Sequence, residues 1–135
     1  MDPSAREAWN VRGTPLNAST RVAAGNICGG TFTGPPFEFA LAASDGSLAW
    51  QCPGTECGAF SFGPPGIAPG VVFIGDGAGK LRAFDADSGA LLNKIDLGGA
   101  ISSGPAVVNG TVIVGTGTGI FGAGQKQGIY GLALP

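Results

Sequence analysis

The chain contains no histidine. That absence removes the Ser-His-Asp triad, the Cys-His dyad and haem attachment through Cys-x-x-Cys-His. Charge is also scarce, with seven basic and nine acidic residues among 135 and a net charge of -2. No Lys/Arg cluster supplies the electrostatic footprint that a phosphate backbone demands, so no nucleic-acid partner is expected. There is no run of 18 uninterrupted apolar residues, and the opening "MDPSAREAWNVRG" lacks a basic region followed by an apolar core. Neither a membrane span nor a signal peptide is therefore expected. Helical periodicity is missing too: "PSAREAW", Pro3 to Trp9, offers one or two turns, and residues 1–19 read as a ragged N-terminal segment.

Cysteine is limited to Cys28, Cys52 and Cys57. The last two bracket "PGTE", a proline-glycine turn that brings their Cβ atoms within disulfide range. The pair reads either as a small disulfide loop or as two free thiols beside a turn. Cys28 is left as a small apolar core residue or a third thiol. One Cys-x4-Cys and a distant third cysteine lack the second ligand pair of a structural zinc motif.

What the chain has is glycine and proline, 26 and 10 residues, together with 44% hydrophobic residues. Glycine and proline usually total about 12% of a globular chain, and the hydrophobic content is too high for simple disorder. Short strands joined by glycine turns fit this composition. "GVVFIG" from Gly70, "KLRAFDA" from Lys80, "ALLNKIDL" from Ala90, "PAVVNG" from Pro105, "TVIVG" from Thr111 and "GIYGLAL" from Gly128 are such runs.

The glycines also keep register. "GPPGIAPGVVFIGDGAG" lies over "SGPAVVNGTVIVGTGTG" at an offset of 40, pairing Pro65 with Pro105, Gly70 with Gly110, Gly75 with Gly115, Gly77 with Gly117 and Gly79 with Gly119. "ALAASDGSLAW", Ala40 to Trp50, echoes 43 residues later as "AFDADSGALLN", Ala83 to Asn93. Four strands in about 40 to 45 residues is the unit of a β-propeller blade. The predicted fold is all-β, with antiparallel four-stranded blades forming a partial ring of about two to three blades. Blade text covers residues 20–60, 61–100 and 101–135.

The two echoing phrases resemble the A-x-D-x-x-T-G-x-x-x-W signature of the pyrroloquinoline-quinone (PQQ) type repeat, with Gly46 and Gly89 at its glycine and Trp50 at its tryptophan. The closing text is similar to the last blades of quinoprotein alcohol dehydrogenase-like propellers, including the polyvinyl-alcohol dehydrogenase type. The signature also occurs in non-enzymatic propellers such as outer-membrane assembly lipoproteins. The resemblance implies rings of seven or eight blades, with PQQ and calcium near the axis in the dehydrogenases. It also implies a periplasmic or extracellular setting. It assigns no residue of this chain to catalysis, cofactor or metal.

Read physically, the signature is a structural motif. Asp85 and Ser88 can hydrogen-bond their own turn, Gly89 can take positive φ, and Trp50 can wedge against a neighbouring blade while its indole N–H finds a carbonyl. Asn93 stands where the second copy lacks the tryptophan. Two functions are compatible with this text: a propeller segment of a quinoprotein alcohol dehydrogenase-like protein, inactive alone, or a non-enzymatic scaffold that self-associates through open blade edges. The partners implied are further copies or the remaining blades of a longer protein.

Other motifs fail on context. "GTGIFG", Gly117 to Gly122, has the spacing of a dinucleotide loop but precedes no helix and no downstream acid. "GDGAGKL", Gly75 to Leu81, lacks the first glycine and the Ser/Thr of a phosphate loop and reads as a hairpin turn. Asp85, Asp87 and Asp96 fall at positions 1, 3 and 12 of a calcium loop, but Ala90 replaces its required glycine. Glu38, Asp45 and Glu56 are expected to be solvated turn or edge residues.

Overall fold

The computed structural model describes residues 7–10, 19–117 and 126–133. Among the described residues, eleven strands form three antiparallel sheets in chain order. The first blade comprises β1 (Arg21–Ala23), β2 (Asn26–Gly30), β3 (Glu38–Ala42) and β4 (Leu48–Gln51). The second comprises β5 (Gly66–Ala68), β6 (Val71–Gly75), β7 (Lys80–Asp85) and β8 (Leu91–Asp96). The third shows β9 (Ala106–Val108), β10 (Thr111–Thr116) and β11 (Gly128–Ala133). Each sheet is a simple meander, and the three succeed one another as an open arc of propeller blades.

The repeated turns explain the repeated register. Between the first two strands of each blade stand Ala24-Gly25, Pro69-Gly70 and Asn109-Gly110, with positive φ at both residues of the first and third pairs and at Gly70 in the second. These are the tight two-residue turns that match the twist of a hairpin. The first strands β1, β5 and β9 lie next to one another, whereas β8 is almost wholly exposed. The blades therefore fan out from their first strands.

Alternation along each strand divides the core into two layers. Cys28, Ala40 and Trp50 of the first blade meet Val72, Ile74 and Phe84 of the second. The opposite face of the second blade, through Phe73 and Leu81, meets Val112 and Val114 of the third, with Tyr130 and Leu132 packed alongside. Each layer is apolar surface removed from water at about 25 cal/mol per Å2. "GTGIFG" beyond Gly117, the residues that follow it to 125, and most of the N-terminal segment lie outside the described residues.

Candidate functional site

Two constellations tie the first blade to the second. The first is built on the echoing phrases. Asp85 Oδ1 accepts from Asp87 N, Ser88 N and Ser88 Oγ at 3.1, 2.8 and 2.9 Å, closing the turn after β7. These bonds, led by those from Ser88, hold the Asp85 carboxyl below its ordinary range. Asp45 does the equivalent work after β3, accepting from Ser47 N and Oγ at 2.9 and 2.7 Å, and Ser47 holds its carboxyl low in the same way.

The turn after β7 is also gripped by the first blade. Trp50 Nε1 donates to Ala86 O at 3.1 Å, and Asn26 Nδ2 donates to the same oxygen at 3.0 Å. The Trp50 ring lies on Phe84, with centroids 5.4 Å apart, and against Gly89. A Cβ placed on Gly89 would sit 2.6 Å from Trp50 Cβ and Cδ2 and closer still to Cγ. Gly89 thus meets two demands, a φ of +74° and contact with an indole face. Gly46, with φ +76°, holds the matching place after β3. Strand register pairs Ala40 with Trp50 and Ala83 with Asn93, so Asn93 occupies the tryptophan position of the second blade. It is exposed, and there the junction is carried by the second apolar layer and Tyr130, whose hydroxyl donates to Leu97 O at 3.5 Å.

The second constellation corrects the sequence reading. Glu38 is not a solvated edge residue: it lies on β3 with no exposed surface, beside Asp76 and Arg82, both also buried. Arg82 Nη1 is 3.2 Å from Glu38 Oε1 and 2.6 Å from Asp76 Oδ2, and Nη2 donates to Glu56 O at 2.5 Å. Asp76 Oδ1 accepts from Ala78 N and Lys80 N, each at 2.9 Å, which places this acid at the hairpin turn after β6. Burial first, then the charge of Asp76, pushes the Glu38 carboxyl up to about 8 against the opposing pull of Arg82. Glu56 turns its own carboxylate outward to Lys94 Nζ at 2.7 Å, and this partner holds it low.

Cys52 and Cys57 are joined by a disulfide, both buried, and Cys57 Sγ lies 3.2 Å from Glu38 Oε2. Cys28 is a free buried thiol that desolvation pushes up to about 11. Sequence reasoning missed Glu38, Asp76 and Arg82 as a group. Strand alternation held a signal, since it sets Glu38 on the face of Ala40 and Arg82 on the face of Phe84, both of which point into the core.

Among the described residues, Glu38, Cys52 and Cys57 form the one group of three metal-capable side chains. It does not fit calcium, which takes six to eight oxygen ligands: two of its atoms are sulfurs already bonded to each other, and a guanidinium faces its carboxylate. Asp85, Asp87 and Asp96 are not brought together as a ligand set; Asp96 instead pairs with Lys80.

Comparison with known proteins agrees with this geometry. Residues 39–131 match the PQQ-type repeat family described as outer membrane protein assembly factor BamB. BamB from Moraxella catarrhalis superimposes with a TM-score of 0.66 at 24% identity, over 90% of this chain and 33% of its own. Quinohemoprotein alcohol dehydrogenase ADHIIG from Pseudomonas putida HK5 does so with 0.62 at 28% identity, over 77% of this chain and 18% of its own. The quinohemoprotein alcohol dehydrogenase of Comamonas testosteroni gives 0.69 at 20% identity, over 93% and 20%. No curated protein sequence matches the chain. The chain spans a third or less of the length of these solved proteins.

Proposed function

This chain belongs to the PQQ-type repeat family described as outer membrane protein assembly factor BamB, and from that premise we propose that it is a propeller segment acting as a non-enzymatic interaction scaffold. The observation that carries this reading is the open face of the third blade. Register places Ile113 opposite Ala106 and Gly131, and Ile129 opposite Gly115, so that with Val108 they form one apolar sheet face. Ile129 is 82% exposed, Val108 48% and Ile113 39%. The matching positions of the second blade, Phe73 and Leu81, are buried against the third. A face that the repeat elsewhere covers with another blade is here apolar and uncovered, which marks an association surface. Its occupant is a further blade of the same type, supplied by a second copy of the chain or by more blades of a longer protein.

Six of the acids support the scaffold reading because they are engaged in structure: Asp45 and Asp85 in turns, Asp96 with Lys80, Glu56 with Lys94, and Glu38 and Asp76 with Arg82. One observation favours a second reading, the 28% identity to a quinohemoprotein alcohol dehydrogenase. In that reading the blades belong to a larger ring that oxidises an alcohol with PQQ and calcium. The Cys52–Cys57 disulfide suits the oxidising periplasmic or extracellular setting that either reading implies. Mass in solution together with an absorbance titration of PQQ and calcium separates the two. Association without cofactor uptake supports the scaffold; stoichiometric PQQ binding overturns it in favour of the quinoprotein.

A further inference from the structure

The Glu38 cluster has a charge imbalance that neither reading uses. Glu38, Asp76 and Arg82 bring two carboxylates and one guanidinium into a site with almost no exposed surface. Arg82 sits nearer Asp76, at 2.6 Å, than Glu38, at 3.2 Å. A second ionised carboxylate would leave a net buried negative charge, which is costly without a partner. The other Glu38 oxygen, Oε2, lies 3.2 Å from Cys57 Sγ. A sulfur bonded to another sulfur carries no hydrogen, so a hydrogen bond across this contact requires the proton to be on Glu38.

We propose that the Cys52–Cys57 pair is a redox-active disulfide for which Glu38 is the built-in acid. An incoming thiolate of a dithiol attacks Cys52 Sγ, and a bond forms between the two sulfurs. The Cys52–Cys57 bond breaks, and the electron pair leaves on Cys57 Sγ. Glu38 Oε2 passes its proton to that sulfur, giving a Cys57 thiol and a Glu38 carboxylate. Arg82, already beside Oε1, is the cation nearest the new charge and is shared with Asp76. The second thiol of the dithiol, once deprotonated to solvent, then displaces Cys52 as a thiolate that takes up a proton. The dithiol becomes a disulfide, and the protein gains two electrons and, with Glu38 left ionised, one proton net.

The titratable and charged groups facing Glu38 are Arg82 from β7, Asp76 from the turn after β6 and Cys57. Cys28, on β2 beside β3, stays neutral over the relevant range. Glu56 is turned away toward Lys94. Both cysteines are buried while the turn between them, Pro53–Thr55, is exposed, so entry of a thiol requires local movement.

The test uses dithiothreitol as the dithiol and follows its exchange with the folded protein from pH 6 to 10, with each rate divided by the thiolate fraction of the reagent. The expected corrected rate is level below about 8 and falls about tenfold per pH unit above it as Glu38 loses its proton. Glu38→Gln, which cannot release a proton, should give a slower rate without that break. A variant that keeps the wild-type break, or a wild-type rate independent of dithiothreitol concentration, overturns the proposal. Infrared absorption of the unmutated protein gives a second test that no folding defect can confuse. A buried carboxylic acid band at pH 7 should disappear on reduction; its absence from the oxidised protein, or its persistence after reduction, refutes the proton transfer.

Discussion

Replacing Gly89 with alanine tests the grip between the first two blades. Two costs combine in the folded state. An L-residue held at φ +74° costs roughly 1 kcal/mol. The added Cβ would press into Trp50 at 2.6 Å or less, and overpacking of this kind costs about 1–3 kcal/mol. Together they predict a loss of roughly 2–4 kcal/mol, which for a chain of this size lowers Tm by about 8–16 °C. Gly70→Ala is the matched control, because Gly70 has the same φ of +74° with nothing within 4 Å of its Cβ position. Its cost should stay near 1 kcal/mol. Urea unfolding followed by circular dichroism measures both. A double-mutant cycle with Trp50→Ala completes the argument: once the indole is gone, Gly89→Ala should cost no more than Gly70→Ala. Equal costs for the two glycine variants in the unmutated protein, or strict additivity in the cycle, would refute the interlock.

Other perturbations have definite signs. The Glu38 pKa rises on folding from an ordinary 4.5 to about 8, so the folded state holds a proton that the unfolded chain releases; its contribution is full below about 4.5 and is lost as pH climbs toward 8, at up to about 1.4 kcal/mol per pH unit. Urea midpoints across that window should show the slope, and Glu38→Gln should flatten it. Asp85 behaves in the opposite sense, since its folded pKa is lowered: Asp85→Ala should lower Tm at pH 7, and the gap should close as acid protonates the unmutated residue. Arg82→Ala should destabilise by about 3–5 kcal/mol, because it removes the buried cation from Asp76 and, as pH rises, from Glu38 as well. Thermal unfolding at pH 5 and pH 8 measures this, and the loss should be greater at the higher pH.

The blade plan was legible because its punctuation is local. Pro65, Gly70 and Gly75 recur at Pro105, Gly110 and Gly115, and a turn needing positive φ or a fixed proline announces itself within four residues. The Asp85-Ser88-Gly89 turn was legible for the same reason. That Gly89 also makes room for Trp50 was not, since that contact spans two blades. The ion-paired cluster was harder still: Glu38 and Arg82 are 44 residues apart, and a charged residue in a short strand reads as an edge or solvent position unless the facing sheet is known. Alternation marked the inward face of β3 and β7 but gave no hint that the two inward charges would meet.

Sedimentation equilibrium of the chain across a concentration series, beside Ile129→Lys, tests the central claim most directly. Ile129 is largely exposed, so the lysine should leave Tm almost unchanged. The account predicts reversible, concentration-dependent association of the unmutated chain that the lysine abolishes. A unmutated chain that stays monomeric throughout, or a variant that associates equally well, would contradict the claim that the open third-blade face is where this propeller segment meets its partner.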